Sequence, residues 1–360
     1  MLFSPASFLQ IALSLLFSGA VGSAASVRRA TTCNGYSELC DRSYGNISFV
    51  GAHDSYAVGT NNLAANQDYN ITQQLTDGVR LLQMQAHNDS GVIQLCHTSC
   101  LLYNGGTLEA YLTTVKAWMD TNTNDVVTLL IVNSDDLVAA EYGTVFASVG
   151  LDKLSYAPTT SPMTTTQWPT LGDLIDNGTR LITFLDNGAD LTSVPYLIDE
   201  FTNVWETPFD VTDPAFDCSV NRTKGDNTTQ MYLINHFLDT IVLGSPVPDI
   251  SAANVTNGVS GTGSLGAQVD TCVSDYGRAP NYLLVDFYEY GNGSVFQVAA
   301  SINGVTYAPT TPIAQPISTS SSTSSTTSKD NSGSSFISGS HGIASLLIAL
   351  SVLLGAWSVL

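Results

Sequence analysis

Positive charge is scarce in this chain: 11 Lys plus Arg stand against 31 Asp plus Glu, for a formal net charge of −20. No basic patch is available to displace counterions from a phosphate backbone, which sets nucleic acid aside as a partner. Histidine is rarer still, with five in the whole chain, and no two stand at the short spacing of a zinc site. Two catalytic signatures are missing as well, the hydrolase elbow G-x-S-x-G and the phosphate loop G-x-x-x-x-G-K-[ST]. The turn after the first apolar run reads GAHDSY, not a glycine-rich nucleotide loop. No repeat or linker divides residues 33–307, a length that suits one large core of TIM-barrel size.

What is present concentrates first at the two ends. Residues 1–24 hold the apolar run FLQIALSLLFSGAVGSA and close on small residues, the pattern of a secretory signal cleaved after Ala24. Residues 25–32, with the dibasic pair Arg28 and Arg29, read as a short pro-segment or N-terminal extension. Residues 308–333 form a Ser/Thr-rich stalk, too poor in apolar side chains to pack. Small residues Asn331, Ser332 and Gly333, a polar spacer and an apolar tail follow, so residues 334–360 read as a removed glycosylphosphatidylinositol (GPI) signal. The expected location is extracellular, at the cell surface, with the membrane engaged through the anchor.

Six cysteines in a secreted chain favour disulfides over metal thiolates. Proximity favours Cys33 with Cys40, Cys96 with Cys100 and Cys218 with Cys272, although the connectivity stays open. Eight N-x-[ST] sequons begin at Asn46, Asn70, Asn88, Asn177, Asn221, Asn227, Asn254 and Asn292, some of them expected to carry glycans.

Between the ends, apolar runs at 47–53, 79–86, 91–97, 126–133, 179–186, 231–238 and 282–288 alternate with helical patterns such as 108–122. Near-continuous apolar strands covered by helices indicate a parallel α/β fold. Several runs end in His53, Asp54, Asn133, Asp186 or Asp286. Chemistry at strand C-terminal ends favours a TIM-type (β/α) barrel over an open doubly wound sheet. The Gly-rich segment 256–267 reads as a flexible loop near the barrel mouth, and core packing is the preferred reading for Trp168, Trp205 and Phe209.

With the signals removed, His53, His87, His97 and His236 remain. Imidazole titrates near working pH and can both take and return a proton, so His53 and His97 form a candidate acid–base pair, with His236 favoured as structural. The stretches FVGAHDSY, NITQQLTDGVRLLQMQAH and IQLCHTSC resemble the X-region of phosphatidylinositol-specific phospholipase C, and NYLLVDFYEYG resembles that fold's late Asp-bearing strand. The core as a whole is similar to fungal secreted phospholipase C-like phosphodiesterases. The resemblance implies a distorted TIM-type (β/α) barrel and cleavage of a phosphodiester through a cyclic inositol phosphate. In it, His53 is the base, Asp286 orients His53, and His97 protonates the leaving oxygen with help from Asp54. Asp54 can join His53 only if the chain turns between them, because adjacent strand residues face opposite ways.

One departure from the family bears on rate. Bacterial members carry a phosphate-binding arginine on the second strand and eukaryotic signalling members carry acidic calcium ligands, whereas Gln83, Gln85 and Asn133 occupy the matching positions. An amide can hydrogen-bond phosphate but cannot neutralise developing charge, and losing such a stabiliser costs on the order of 10²–10³ in rate. Counting by twos puts Val79, Leu81, Gln83, Gln85 and His87 on one face and Arg80, Leu82 and Met84 on the other. If the glutamines face the lumen, Arg80 does not, and His87 becomes the phosphate's candidate cation. No cofactor is required by this reading, though Asp54, Asp135, Asp136 and Asp286 offer oxygen ligands of the kind Ca²⁺ takes. The expected function is a phosphodiesterase acting on an inositol-containing phospholipid or lipid-glycan. Its rivals are a binding module for glycan or inositol phosphate and a wall glycoprotein that displays the stalk.

Overall fold

The computed structural model describes residues 29–317 apart from residue 61. The expected secretory signal, most of the expected stalk and the expected GPI signal lie outside the described residues. Among the described residues no helix is long and apolar enough to cross a membrane.

The chain runs β1 (Phe49–Ala52), α1 (Ile71–Asp77), β2 (Leu81–Asp89), β3 (Val92–Cys96), β4 (Asn104–Thr107), α2 (Leu108–Thr121), β5 (Val127–Asn133), α3 (Ala139–Val149), α4 (Leu171–Asp176) and β6 (Leu181–Leu185). It continues through β7 (Leu197–Asp199), α5 (Glu200–Asn203), β8 (Val204–Glu206), β9 (Met231–Asn235), β10 (Asp239–Val242), β11 (Ser245–Pro248), α6 (Ala253–Thr256), α7 (Leu265–Tyr276), β12 (Tyr282–Val285) and α8 (Ser294–Ile302). Eight strands form one curled sheet in the order β7-β6-β5-β2-β1-β12-β9-β8, and every neighbouring pair is parallel. This is the (β/α) barrel that the apolar runs and their polar ends predict, distorted as the family resemblance implies. Its distortions are local: β7 and β8 have three residues each, only the single turn of α5 separates them, and β8 reaches β9 through the long loop 207–230 without a helix.

Run 91–97 is not a barrel strand. β3 returns antiparallel on β2, and β4 adds to β3, so these two extend the sheet beyond the barrel end. A periodic apolar run carries no direction, and the turn at Ser90 and Gly91, both with positive φ, reverses it.

Strand alternation divides the core in two. Phe49, Leu81, Leu130, Phe184, Leu233, Tyr282 and Leu284 pack together inside the barrel. Val50, Leu82, Leu129, Ile234 and Leu283 face outward against Leu112, Val115, Phe146 and Val269 of the helices. At the N-terminal end the Tyr44 hydroxyl closes the barrel through bonds to Thr128 Oγ1 (2.6 Å) and the Tyr282 hydroxyl (2.7 Å). Gly51 also faces inward, where a Cβ would stand 2.8 Å from Leu81 Cδ2. Strand β1 can therefore lie close to its neighbours only with glycine at this position, and the next inward residue is His53.

The three disulfides are Cys33–Cys40, Cys96–Cys100 and Cys218–Cys272, the pairing that proximity favours. They fit an oxidising compartment. Trp168 and Trp205 are core residues, as expected. Phe209 is not: it is exposed, with the Arg222 guanidinium 4.4 Å over its ring. Segment 256–267 is also more firmly built than its glycines imply. Asn257 is buried and donates to the carbonyls of Asp286 and Phe287, and Gly266 packs so tightly on Val259 that a Cβ would meet its carbonyl at 1.9 Å.

Candidate active site

His53 follows β1 at the C-terminal end of the barrel. Its Nδ1 lies 2.9 Å from Asp286 Oδ1, just past β12. The Phe237 ring stacks on the imidazole at a centroid distance of 3.8 Å and 7° between planes. A carboxylate accepts only, so Nδ1 carries the proton and Nε2 is left facing Asp54 Oδ2, 3.7 Å away. Burial alone would pull the His53 imidazole down. The charges of Asp286 and Asp54 and the hydrogen bond to Asp286 reverse that and raise it to about 9.

Asp54 reaches the site because the chain turns there. Its φ is +36°, its N–H donates to Gln83 Oε1 (2.6 Å) and its carbonyl accepts from Ala57 N (2.6 Å). The condition set by strand alternation is thereby met, and the wholly buried carboxylate points back into the mouth. Its Oδ2 lies 3.6 Å from His97 Nε2 and accepts from Gln85 Nε2 at 2.8 Å. His97 donates from Nδ1 to the Ala64 carbonyl (2.8 Å), so its Nε2 faces the same carboxylate oxygen as that of His53. His53, Asp54, His97 and Asp286 thus converge.

The amides do something other than wait for a ligand. Gln83 holds the Asp54 turn, and Gln85 links Asp54 to the loop after β3, where its Oε1 accepts from Thr98 N (3.1 Å). Asn133 is buried and its side chain is occupied by Leu137, Tyr142 and Asn187. No described contact joins it to the histidines. His87 sits 3.6 Å from Asp135, its Nε2 buried without a partner. Arg80 points to the outer side, as alternation requires, pairing with Asp125 at 2.8 Å beneath Trp118. The carboxylates suggested for Ca²⁺ divide into two places, Asp54 and Asp286 at His53 and Asp135 at His87 and Asn88, while Asp136 is exposed. Among the described residues no cluster of three or more such ligands has metal-holding geometry. These side chains do not fit a calcium site.

His236 is structural. Both nitrogens are bonded, to Gln268 Oε1 (2.6 Å) and the Thr256 carbonyl (2.8 Å), and burial lowers it to about 4.

Sequence reasoning missed several neighbours. Asn66 bonds Asp286 and adjoins His53, and Gln67 donates to the carbonyls of His53 and Val285. Asp239 is pushed up to about 7, by burial first and then by Asp286. Burial also raises Asp210, against the opposing charges of His53, Arg222 and His97. Deeper in the barrel, Glu200 is held well above the carboxylate range by burial and by Glu206, which in turn binds Arg222. Counting by twos from Met231 would have found Phe237 on the inner face and put His236 outside. The loop residues carry no comparable signal.

A histidine pair bridged by one carboxylate, at the C-terminal mouth of a (β/α) barrel, is the arrangement that fold and site define. The chain matches the family model described as PI-PLC X 1 over residues 39–303, and it belongs to the PI-PLC X family. It is 46% identical over 285 residues to an uncharacterized secreted protein of Arthroderma benhamiae, a match covering 76% of this chain and 64% of that protein, so it spans less than two thirds of that relative. It is 47% identical over 277 residues to the PI-PLC X domain-containing protein 1 of the same organism, covering 76% of this chain and 90% of the relative. Among solved structures, phosphatidylinositol-specific phospholipase C from Listeria monocytogenes superposes with a TM-score of 0.50 at 13% identity, covering 76% and 98% of the two chains. A mutant of the Staphylococcus aureus enzyme gives 0.51 at 16% identity, covering 77% and 99%. At such identities these two likenesses concern the fold, a TIM-type barrel.

Proposed function

We propose that this protein is a phosphodiesterase that cleaves an inositol-containing phospholipid or lipid-glycan at the outer cell surface. The observation that carries the reading is the convergence of His53 and His97 on one oxygen of Asp54, with Asp286 behind His53. In its neutral form, which predominates only above about pH 9, His53 takes at Nε2 the proton of the ring 2-hydroxyl, whose oxygen attacks phosphorus. The bond from phosphorus to the lipid alkoxide breaks, and His97 Nε2–H supplies that oxygen's proton. The product is a cyclic inositol phosphodiester, and the histidines end in exchanged protonation states, ready to run the reverse roles with water. Asp286 supports the imidazolium that forms on His53.

The substrate class follows from charge. Arg222 and Lys224 are the cations of the loop after β8, and they are paired with Glu206 and Asp199. Asp210 and Asp239 stand near the histidines. Such surroundings favour a ring whose only phosphate is the scissile one. The secreted relative and the disulfides support an outward location, and the small-residue site, spacer and apolar tail support a GPI anchor. Anchors, inositol glycans or exogenous lipids are then the accessible substrates.

A second reading, a surface module that binds inositol phosphate without turnover, is favoured by one observation: Gln83 and Gln85 are engaged with Asp54 and the Thr98 backbone, while Arg222, the arginine whose charge reaches Asp210, is paired with Glu206. Initial rates on vesicles of phosphatidylinositol, on a bisphosphorylated analogue and on a GPI-anchored reporter test both. The enzyme reading expects turnover of the first and third, at least about tenfold faster than the second. Tight binding of all three without turnover supports the module.

A further inference from the structure

The chemistry above needs Asp286 to remain a carboxylate although burial raises its affinity for a proton. It also needs His53 to keep its proton on Nδ1. The residue placed to meet the first need, and through Asp286 the second, is Asn66, wholly buried in the loop after β1. Its backbone is fixed on both sides: its N–H donates to the Ala57 carbonyl at 2.9 Å, and its carbonyl accepts from Phe287 N at 2.9 Å. The loop is thus stitched to the residue that follows Asp286. Asn66 Nδ2 lies 3.1 Å and 3.3 Å from the two oxygens of Asp286 and 3.1 Å from His53 Nδ1. The opposite amide orientation would set its oxygen against the carboxylate, so the donor end must face Asp286.

The other end of that amide is the telling feature. Asn66 Oδ1 is buried with no hydrogen-bond partner, a situation that costs about 1–3 kcal/mol. An apolar side chain would avoid that cost but would take from buried Asp286 the donor that reaches both of its oxygens, so the donor end is what calls for an amide here. We infer that Asn66 is a positioning residue of the histidine pair, whose amide N–H groups fix the Asp286 carboxylate in place so that it, as the acceptor, holds the His53 proton on Nδ1 and leaves Nε2 as the base. The effect on catalysis rests on the phosphodiesterase reading; the effect on His53 does not.

The charged and titratable groups facing His53 are Asp286 beyond β12, Asp54 beyond β1, Asp239 on β10 and Asp210 on the loop after β8, with His97 coupled through Asp54. Asn66 is an uncharged donor among them, and its N–H groups temper the negative charge that Asp286 presents to His53. Asn66→Ala removes those donors, so the carboxylate supports the imidazolium more strongly and His53 titrates at higher pH. Asn66→Asp removes them and adds a carboxylate beside Nδ1, and His53 moves further in the same direction. A residue that only filled space would leave the titration where it is.

The test is an NMR titration of the histidine ring protons in the purified protein, with the His53 signal assigned by its loss in His53→Ala, alongside pH–rate profiles on phosphatidylinositol vesicles. The expected result is an upward displacement in Asn66→Ala and a larger upward one in Asn66→Asp, each with kcat reduced at least about tenfold at neutral pH and KM within about twofold. Unchanged titration, or a downward displacement in either folded variant, overturns the inference. Should Asn66→Ala fail to fold, Asn66→Asp alone decides, since an unmoved His53 contradicts the role. If the unsubstituted protein turns over no substrate, the phosphodiesterase reading fails, while the NMR displacements still judge Asn66.

Discussion

Asp54 is the carboxylate on which both histidines converge, and its place there depends on a single backbone angle. Strand periodicity states the condition, since adjacent residues share a site only if the chain turns, but the positive φ that satisfies it is set by bonds to Gln83 and Ala57. Those partners are remote or local in ways no spacing rule reports. The histidines themselves were legible because each ends an apolar run beside polar residues. Asn66 was not, because its role exists only once the loop closes on Asp286. Gln83 and Gln85 were legible as inward-facing amides, but the partners that occupy them were not. With Asp54 bridging the two Nε2 atoms, Asp54→Asn replaces a charge that supports both imidazoles by a neutral amide. The expected outcome is a fall in kcat of about 10²-fold with KM little changed, read by steady-state kinetics. A variant with near-normal kcat would remove Asp54 from the mechanism.

Strands of four or more residues with continuous apolar character could be read from the sequence, and β1, β2, β5, β6, β9 and β12 fall within the predicted runs or within a few residues of their ends. β7 and β8 are three residues each, too short for any period to register, yet they supply the barrel's last two positions. β3 was legible as a strand but not as an antiparallel one. Its end matters because Cys96 and Cys100 enclose His97 within a four-residue separation. So short a closure gives little chain entropy to the folded state, and its consequence is to hold the loop that carries the candidate acid. Replacing both cysteines by serine is expected to lower kcat by about tenfold through loss of His97 placement, with only a small change in thermal unfolding. Unchanged kcat with a lowered unfolding temperature would make the disulfide a stability element instead.

At the scale of the molecule, an excess of carboxylates is built partly into the interior. Glu289 is wholly buried with neither side-chain oxygen bonded, and burial, with the charge of Asp68, raises it to about 8. Asp239 at about 7 and His53 at about 9 are also raised. Each binds its proton more tightly folded than unfolded, so its contribution is full below the unfolded value and is lost as pH rises through the folded one. His236, lowered to about 4, acts the other way and costs stability as pH falls toward that value. Thermal unfolding followed across pH should therefore show greatest stability in weak acid and a decline toward about pH 9. Glu289→Gln should flatten that decline, and an unaltered pH dependence would contradict the assignment. The most direct measurement is phosphorus NMR of the product released from phosphatidylinositol by the purified protein, beside His53→Ala. A cyclic inositol phosphodiester that forms first and is absent with the variant is the predicted result. Equal product from His53→Ala, or a linear phosphate with no cyclic species before it, would contradict the histidine mechanism.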